Sequence, residues 1–122
     1  MIKQFDLKEG IPSMDLTYLT PDALIVLAFV TRFCKKHSLP LVVTNILQKF
    51  KVSTSNTHPE GRAIDVSVRG WYISDINKCI AYITEMCGHL GAISAKTNKP
   101  RVAYYHNAGL GAHIHFQVFN RT

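Results

Sequence analysis

The chain lacks any long hydrophobic run. Its longest uninterrupted apolar stretch, Ala23 to Val30, is eight residues, far short of the roughly 20 that a membrane-spanning helix needs. No membrane partner is expected. The N-terminus, Met-Ile-Lys-Gln-Phe-Asp-Leu-Lys-Glu-Gly, is polar and charged and lacks the features of a secretory signal. The chain is therefore expected to be made in the cytoplasm and not to export itself by that route. Cysteine is scarce: Cys34, Cys79 and Cys87 are odd in number and form no Cys-X-X-Cys pair. They are expected to be reduced core residues rather than disulfides or zinc ligands. Repeats, low-complexity segments and linkers are absent. A chain of 122 residues, 47% of them hydrophobic, makes one domain over residues 1–122 with a real core. Acidic residues are few: eight Asp and Glu stand against 14 Lys and Arg, for a net charge of +6. A basic surface favours an anionic partner, or serves ordinary solubility. The basic residues are scattered and no DNA- or RNA-binding motif occurs, so no specific nucleic-acid partner is expected.

What is present reads as alternating helix and strand. Thr20-Pro21-Asp22 is a helix start, with Thr as N-cap, Pro at the first helical position and Asp in the first turn. The helix runs to about Lys36 and is apolar nearly all round, which predicts a central, buried helix. Leu41 to Ile46 is a short β-branched run and reads as a strand. A polar loop follows, from Lys51 to Glu60. Ala63 to Val68 then alternates, with Ile64, Val66 and Val68 on one face and Ala63, Asp65 and Ser67 on the other. Ser74-Asp75 starts a second helix, whose stripe is Ile76, Ile80, Ile83 and Cys87. Arg101 to His106 is a third strand and Ala112 to Phe119 a fourth, joined by turn residues Asn107 to Gly111. The expected class is α+β: a small, mostly antiparallel sheet with helices packed on one face.

Four residues carry chemistry. His58 lies in Ser-Asn-Thr-His58-Pro-Glu-Gly-Arg-Ala-Ile-Asp65, and His113 and His115 lie in Ala-His113-Ile-His115-Phe-Gln-Val. Residues two apart on a strand share a face, so His113 and His115 look into one space. Asp65 projects from the polar face of another strand. His58 sits in the loop entering that strand, where Gly61 lets the backbone turn tightly. Two imidazoles and a carboxylate bind Zn²⁺ and leave a fourth position for water, the layout of a catalytic zinc site.

The pattern His-X-X-Gly-Arg-Ala-X-Asp followed by His-X-His resembles the zinc D-Ala-D-Ala carboxypeptidase and L-Ala-D-Glu endopeptidase family, to which many bacteriophage cell-wall lytic enzymes belong. Gly-Arg-Ala-Ile-Asp and Ala-His-Ile-His are also similar to the hedgehog signalling domain, a relative with the same zinc site. The resemblance spans roughly residues 41–118. It implies that His58, Asp65 and His115 hold zinc, and that His113 stabilises the tetrahedral transition state or handles protons. It implies a hedgehog-like, DD-peptidase-like fold and a substrate containing D-amino acids, as in peptidoglycan stem peptides. It implies action on the bacterial cell wall, in host lysis or from the virion, by a chain expected to be monomeric.

Two departures from the family pattern stand out. The family places a catalytic Glu or Asp shortly before the zinc histidine of His-X-His. Here no acidic residue follows Glu85, and position 112 is Ala. Three readings stay open: His106 or His113 serves as base, Glu60 reaches the water from the other side, or the domain holds zinc without turning over peptide. The family also carries an Arg after the first core strand, where this chain has Thr44-Asn45-Ile46-Leu47-Gln48. Thr44 and Gln48 are then candidate substrate contacts, although Gln does not pair with a carboxylate as Arg does. Arg62 is a substitute for that Arg or a structural residue on the loop. Trp71 lines the cleft or packs in the core.

Overall fold

The structure is a computed structural model that describes residues 5–47, 60–93, 98–108 and 111–119. Two helices and seven strands are set out along these segments. They are β1 (Asp6–Leu7), α1 (Pro21–Lys36), β2 (Val42–Asn45), β3 (Ala63–Ser67), α2 (Ile73–Cys87), β4 (Ala92–Ile93), β5 (Pro100–Arg101), β6 (Ala103–Ala108) and β7 (Gly111–Gln117). Short 3₁₀ turns occupy Ser13–Tyr18 and Gly88–Leu90.

Five strands form one sheet in the order β1-β2-β3-β7-β6, while β4 and β5 pair separately. The β1–β2 pair is parallel and the other three pairs of the large sheet are antiparallel. The sheet is thus mixed but mostly antiparallel. The class is α+β, as the sequence predicts.

The first helix begins where the sequence signals it, and α2 begins at Ile73, one residue ahead of the expected Ser74-Asp75 start. The Thr20 side chain accepts a hydrogen bond from the Ala23 N–H at 3.3 Å, and Pro21 opens α1. The Asp75 carboxylate accepts from the Tyr72 N–H at 3.0 Å, holding the first turn of α2. The prediction that α1 is buried all round is corrected. Ala23, Val26, Leu27, Val30, Phe33 and Cys34 face inward, but Leu24 and Ile25 are exposed. On α2 the fully buried positions are Ile76, Cys79, Ile83 and Cys87, so Cys79 takes the place expected of Ile80.

The two helices meet through Phe29, Phe33 and Tyr82. Their inner faces join Ile64, Val66, Ile114 and Phe116 of the sheet in one apolar cluster. Burying such side chains is worth about 1.5–3 kcal/mol each, and this drives the helices onto the sheet. Strand alternation then sends the neighbours of those four residues to the opposite face. Cys34, Cys79 and Cys87 are buried and unbridged. Burial pushes the Cys34 thiol up to about 12, and the thiols of Cys79 and Cys87 also rise, first through burial.

The third predicted strand is corrected. Arg101 pairs across to Ala92 in the small sheet, and β6 begins at Ala103. The predicted turn from Asn107 to Gly111 is shorter, because Asn107 and Ala108 pair with Ala112 and Gly111. Among the described residues, no helix is long and apolar enough to cross a membrane.

Candidate functional site

The face of the sheet opposite the helices carries two rows of polar side chains. Register sets them, because residues directly opposite on antiparallel strands project to the same side. In the first row Asn45 pairs with Asp65, Asp65 with His115, and His115 with Tyr104. In the second row Ser67 pairs with His113, and His113 with His106. Asp65 and His115, 50 residues apart in sequence, thus become cross-strand neighbours.

Asp65 and His115 are buried, at 7% and 6% exposure, and so is Gln117 at 8%. The Nδ1 atom of His115 lies 2.8 Å from Asp65 Oδ1. The Nε2 atom of His115 lies 3.1 Å from Gln117 Oε1, and Gln117 Nε2 donates to the Arg101 carbonyl at 3.0 Å. Asn45 Nδ2 reaches Asp65 Oδ2 at 3.4 Å. His113 Nε2 stands 3.7 Å from Asp65 Oδ2. The other nitrogen of His113, Nδ1, is 3.1 Å from the Gly111 carbonyl. A carbonyl only accepts, so Nδ1 carries the hydrogen, and Nε2 of the neutral ring presents its lone pair towards Asp65.

Aromatic rings wall one side of this cluster. The Tyr104 ring centroid is 4.9 Å from that of His115, and His106 packs edge-on against His113 at 5.1 Å. The Arg101 guanidinium lies over Tyr104, 4.7 Å from the ring centroid. Burial raises the Tyr104 phenol above its ordinary range. The Asp65 charge adds to that rise and Arg101 opposes it.

The sequence-predicted residues divide into three groups. Asp65, His115, His113 and His106 come together. His58 and Gln48 lie outside the described residues. Arg62, Trp71 and Thr44 are each held by another part of the chain. Arg62 pairs with Glu60 at 2.7 Å and donates to the Val118 carbonyl at 2.9 Å, so it ties the start of β3 to the end of the chain's last strand. That contact also turns Glu60 towards Arg62. Trp71 packs near Phe33 of α1 and donates to the Pro40 carbonyl at 3.0 Å. The Thr44 hydroxyl contacts the Asp65 carbonyl at 3.4 Å.

Sequence reading gave Asn45, Tyr104 and Gln117 no role in the site. A register irregularity between Val43 and Asn45 turns Asn45 towards Asp65, where plain alternation puts Val43 and Asn45 on one face. Tyr104 was open to prediction: a hairpin drawn with its turn between Ala108 and Gly111 sets it opposite His115. Among the described residues, no group of three or more His, Cys, Asp or Glu is arranged to hold a metal ion. In comparisons with known proteins, no family model, no curated protein and no solved structure matches this chain.

Proposed function

We propose that the chain is a zinc-dependent peptidase that hydrolyses peptide bonds in peptidoglycan stem peptides, of DD-carboxypeptidase or L-Ala-D-Glu endopeptidase type, and that it is phage-encoded for cell-wall lysis. The hedgehog-like zinc fold is part of the same reading. So is a monomer whose charge of +6 draws it to an anionic wall. The observation that carries it is the buried Asp65–His115 pair, set opposite in register with donor atoms 2.8 Å apart. Their chemistry fits zinc, which takes carboxylate oxygen and imidazole nitrogen. Asp65 and His115 would hold the ion, and His58 is the third ligand of the proposed set.

When bound, zinc supplies Lewis acidity that activates a water and polarises the scissile carbonyl. The chain's residues do the rest. His113 Nε2, with its lone pair turned inward by the Gly111 carbonyl, takes the water proton as general base. The imidazolium so formed is stabilised by the Asp65 carboxylate 3.7 Å away. His106, packed on the edge of His113, steadies that ring. Tyr104, whose phenol keeps its proton well into the alkaline range, walls the site and limits rotation of His115.

A second reading, a catalytically inactive zinc domain acting as a binding or virion structural module, has one observation in its favour. Neither row contains a carboxylate besides Asp65, and Glu60 is engaged by Arg62. One experiment separates the two: dye release from purified peptidoglycan, with and without a chelator, for wild type and His115→Ala. The peptidase reading expects chelator-sensitive release that falls to background in the variant. Stoichiometric zinc without release favours the binding module. No zinc and no release defeats both.

A further inference from the structure

We propose that Gln117 is a positioning residue: it fixes the ring hydrogen of His115 on Nε2 and so aims the Nδ1 lone pair at Asp65. The inference rests on the zinc reading for its purpose, but its geometry stands apart from that reading. It begins at a backbone carbonyl. Arg101 O accepts a hydrogen bond from the Gln117 amide nitrogen at 3.0 Å. A carbonyl has no hydrogen to give, so this contact decides which end of the amide faces which way. The reversed amide would set two oxygens against each other in a site where Gln117 is buried.

The remaining end, Oε1, faces His115 Nε2 at 3.1 Å. An amide oxygen also only accepts, so Nε2 carries hydrogen. In the neutral ring Nδ1 then holds the lone pair, and it lies 2.8 Å from Asp65 Oδ1, a third acceptor. Two lone pairs at that separation repel in a buried site unless a cation joins them. A metal ion held between His115 and Asp65 would join them. Histidines that bind a metal through one nitrogen characteristically give the other N–H to an oxygen acceptor, which orients the ring and raises its basicity. Gln117 occupies that place.

The element geometry explains why this residue can do it. Positions 115 and 117 share a face of β7, and the Gln117 N–H is itself anchored to the Val102 carbonyl at 2.9 Å. Val102 directly follows Arg101, so two adjacent residues at the junction of β5 and β6 pin the Gln117 backbone and turn its amide. Tyr104, packed at a tilt against His115, restrains the ring from swinging away.

The test pairs two measurements on the full chain. Zinc affinity is read by competition with a chromophoric chelator for wild type and Gln117→Leu, beside the melting temperature of each metal-free protein. The expected result is about 10–100-fold weaker zinc binding in the variant. Unchanged affinity, with only a lower melting temperature, overturns the proposal and leaves Gln117 a packing residue. The second measurement is a long-range proton–nitrogen NMR correlation of the His115 ring in metal-free wild type. A hydrogen on Nε2, lost or rapidly exchanging in Gln117→Leu, supports the proposal even if the wild type takes up no zinc, in which case the zinc reading alone fails. A bare Nε2 with hydrogen only on Nδ1 overturns the proposal whatever the zinc result.

Discussion

His113 is the residue on which the proposed reaction turns, because its two ring nitrogens are unlike. One is tied to the Gly111 carbonyl and the other faces Asp65. Replacing it with Ala removes the proton acceptor while leaving Asp65 and His115 in place. The expected outcome is a fall in kcat of about 10²–10⁴-fold with zinc stoichiometry retained, checked by steady-state assay and metal analysis. At this scale the sequence was informative about identity and weak about roles. Asp65, His113 and His115 were legible from motif and alternation. Arg62 was not, because its choice between substrate and the Val118 carbonyl depends on where the last strand lies.

Elements were legible in proportion to how local their causes are. The start of α1 follows from Thr20-Pro21, whereas which of its many apolar residues face inward depends on where the sheet lies. The twist of β2 that turns Asn45 to Asp65 has no such local mark. The turn into β3 depends on Gly61, which adopts φ +70° and accepts the Thr20 N–H at 2.9 Å. A Cβ at this position would collide with the Tyr18 carbonyl. Gly61→Ala is expected to destabilise the fold by about 1–3 kcal/mol from backbone strain alone, with the clash adding to it. A denaturant titration that leaves the midpoint unmoved would refute this account of the turn.

Across the whole molecule the sheet separates two environments, an apolar layer against the helices and a polar layer opposite. The buried thiols report on the first. Burial raises the folded Cys34 pKa to about 12, from the 9.0 of an exposed thiol. Below pH 9 both folded and unfolded chains hold the thiol proton, and its contribution is fully present. Between 9 and 12 the unfolded chain releases the proton while the folded one keeps it, so stability falls as pH rises. The expected loss is about 1.4 kcal/mol per pH unit for each such thiol. Denaturation curves at pH 8 and 10 check it, and Cys34→Ala should reduce the difference while Cys79 and Cys87 keep the rest. The same burial predicts that a thiol reagent at pH 8 labels Cys34 and Cys79 slowly in the native protein and rapidly once it is unfolded.

By itself the sequence determined what depends on near neighbours. The cap at Thr20 set the start of α1, spacing gave Ile76, Ile83 and Cys87 of the buried side of α2, alternation assigned the faces of β3 and β7, and scarce, unpaired cysteines marked the core. Only the tertiary structure decided what depends on pairing between distant segments. The register of β3, β7 and β6 brings Asp65, His115 and Tyr104 into one row. The Arg101 carbonyl orients Gln117, and the Val118 carbonyl accepts a hydrogen bond from Arg62. Strand order is fixed by burying one face of the whole sheet at once, a free energy that no local window of sequence contains.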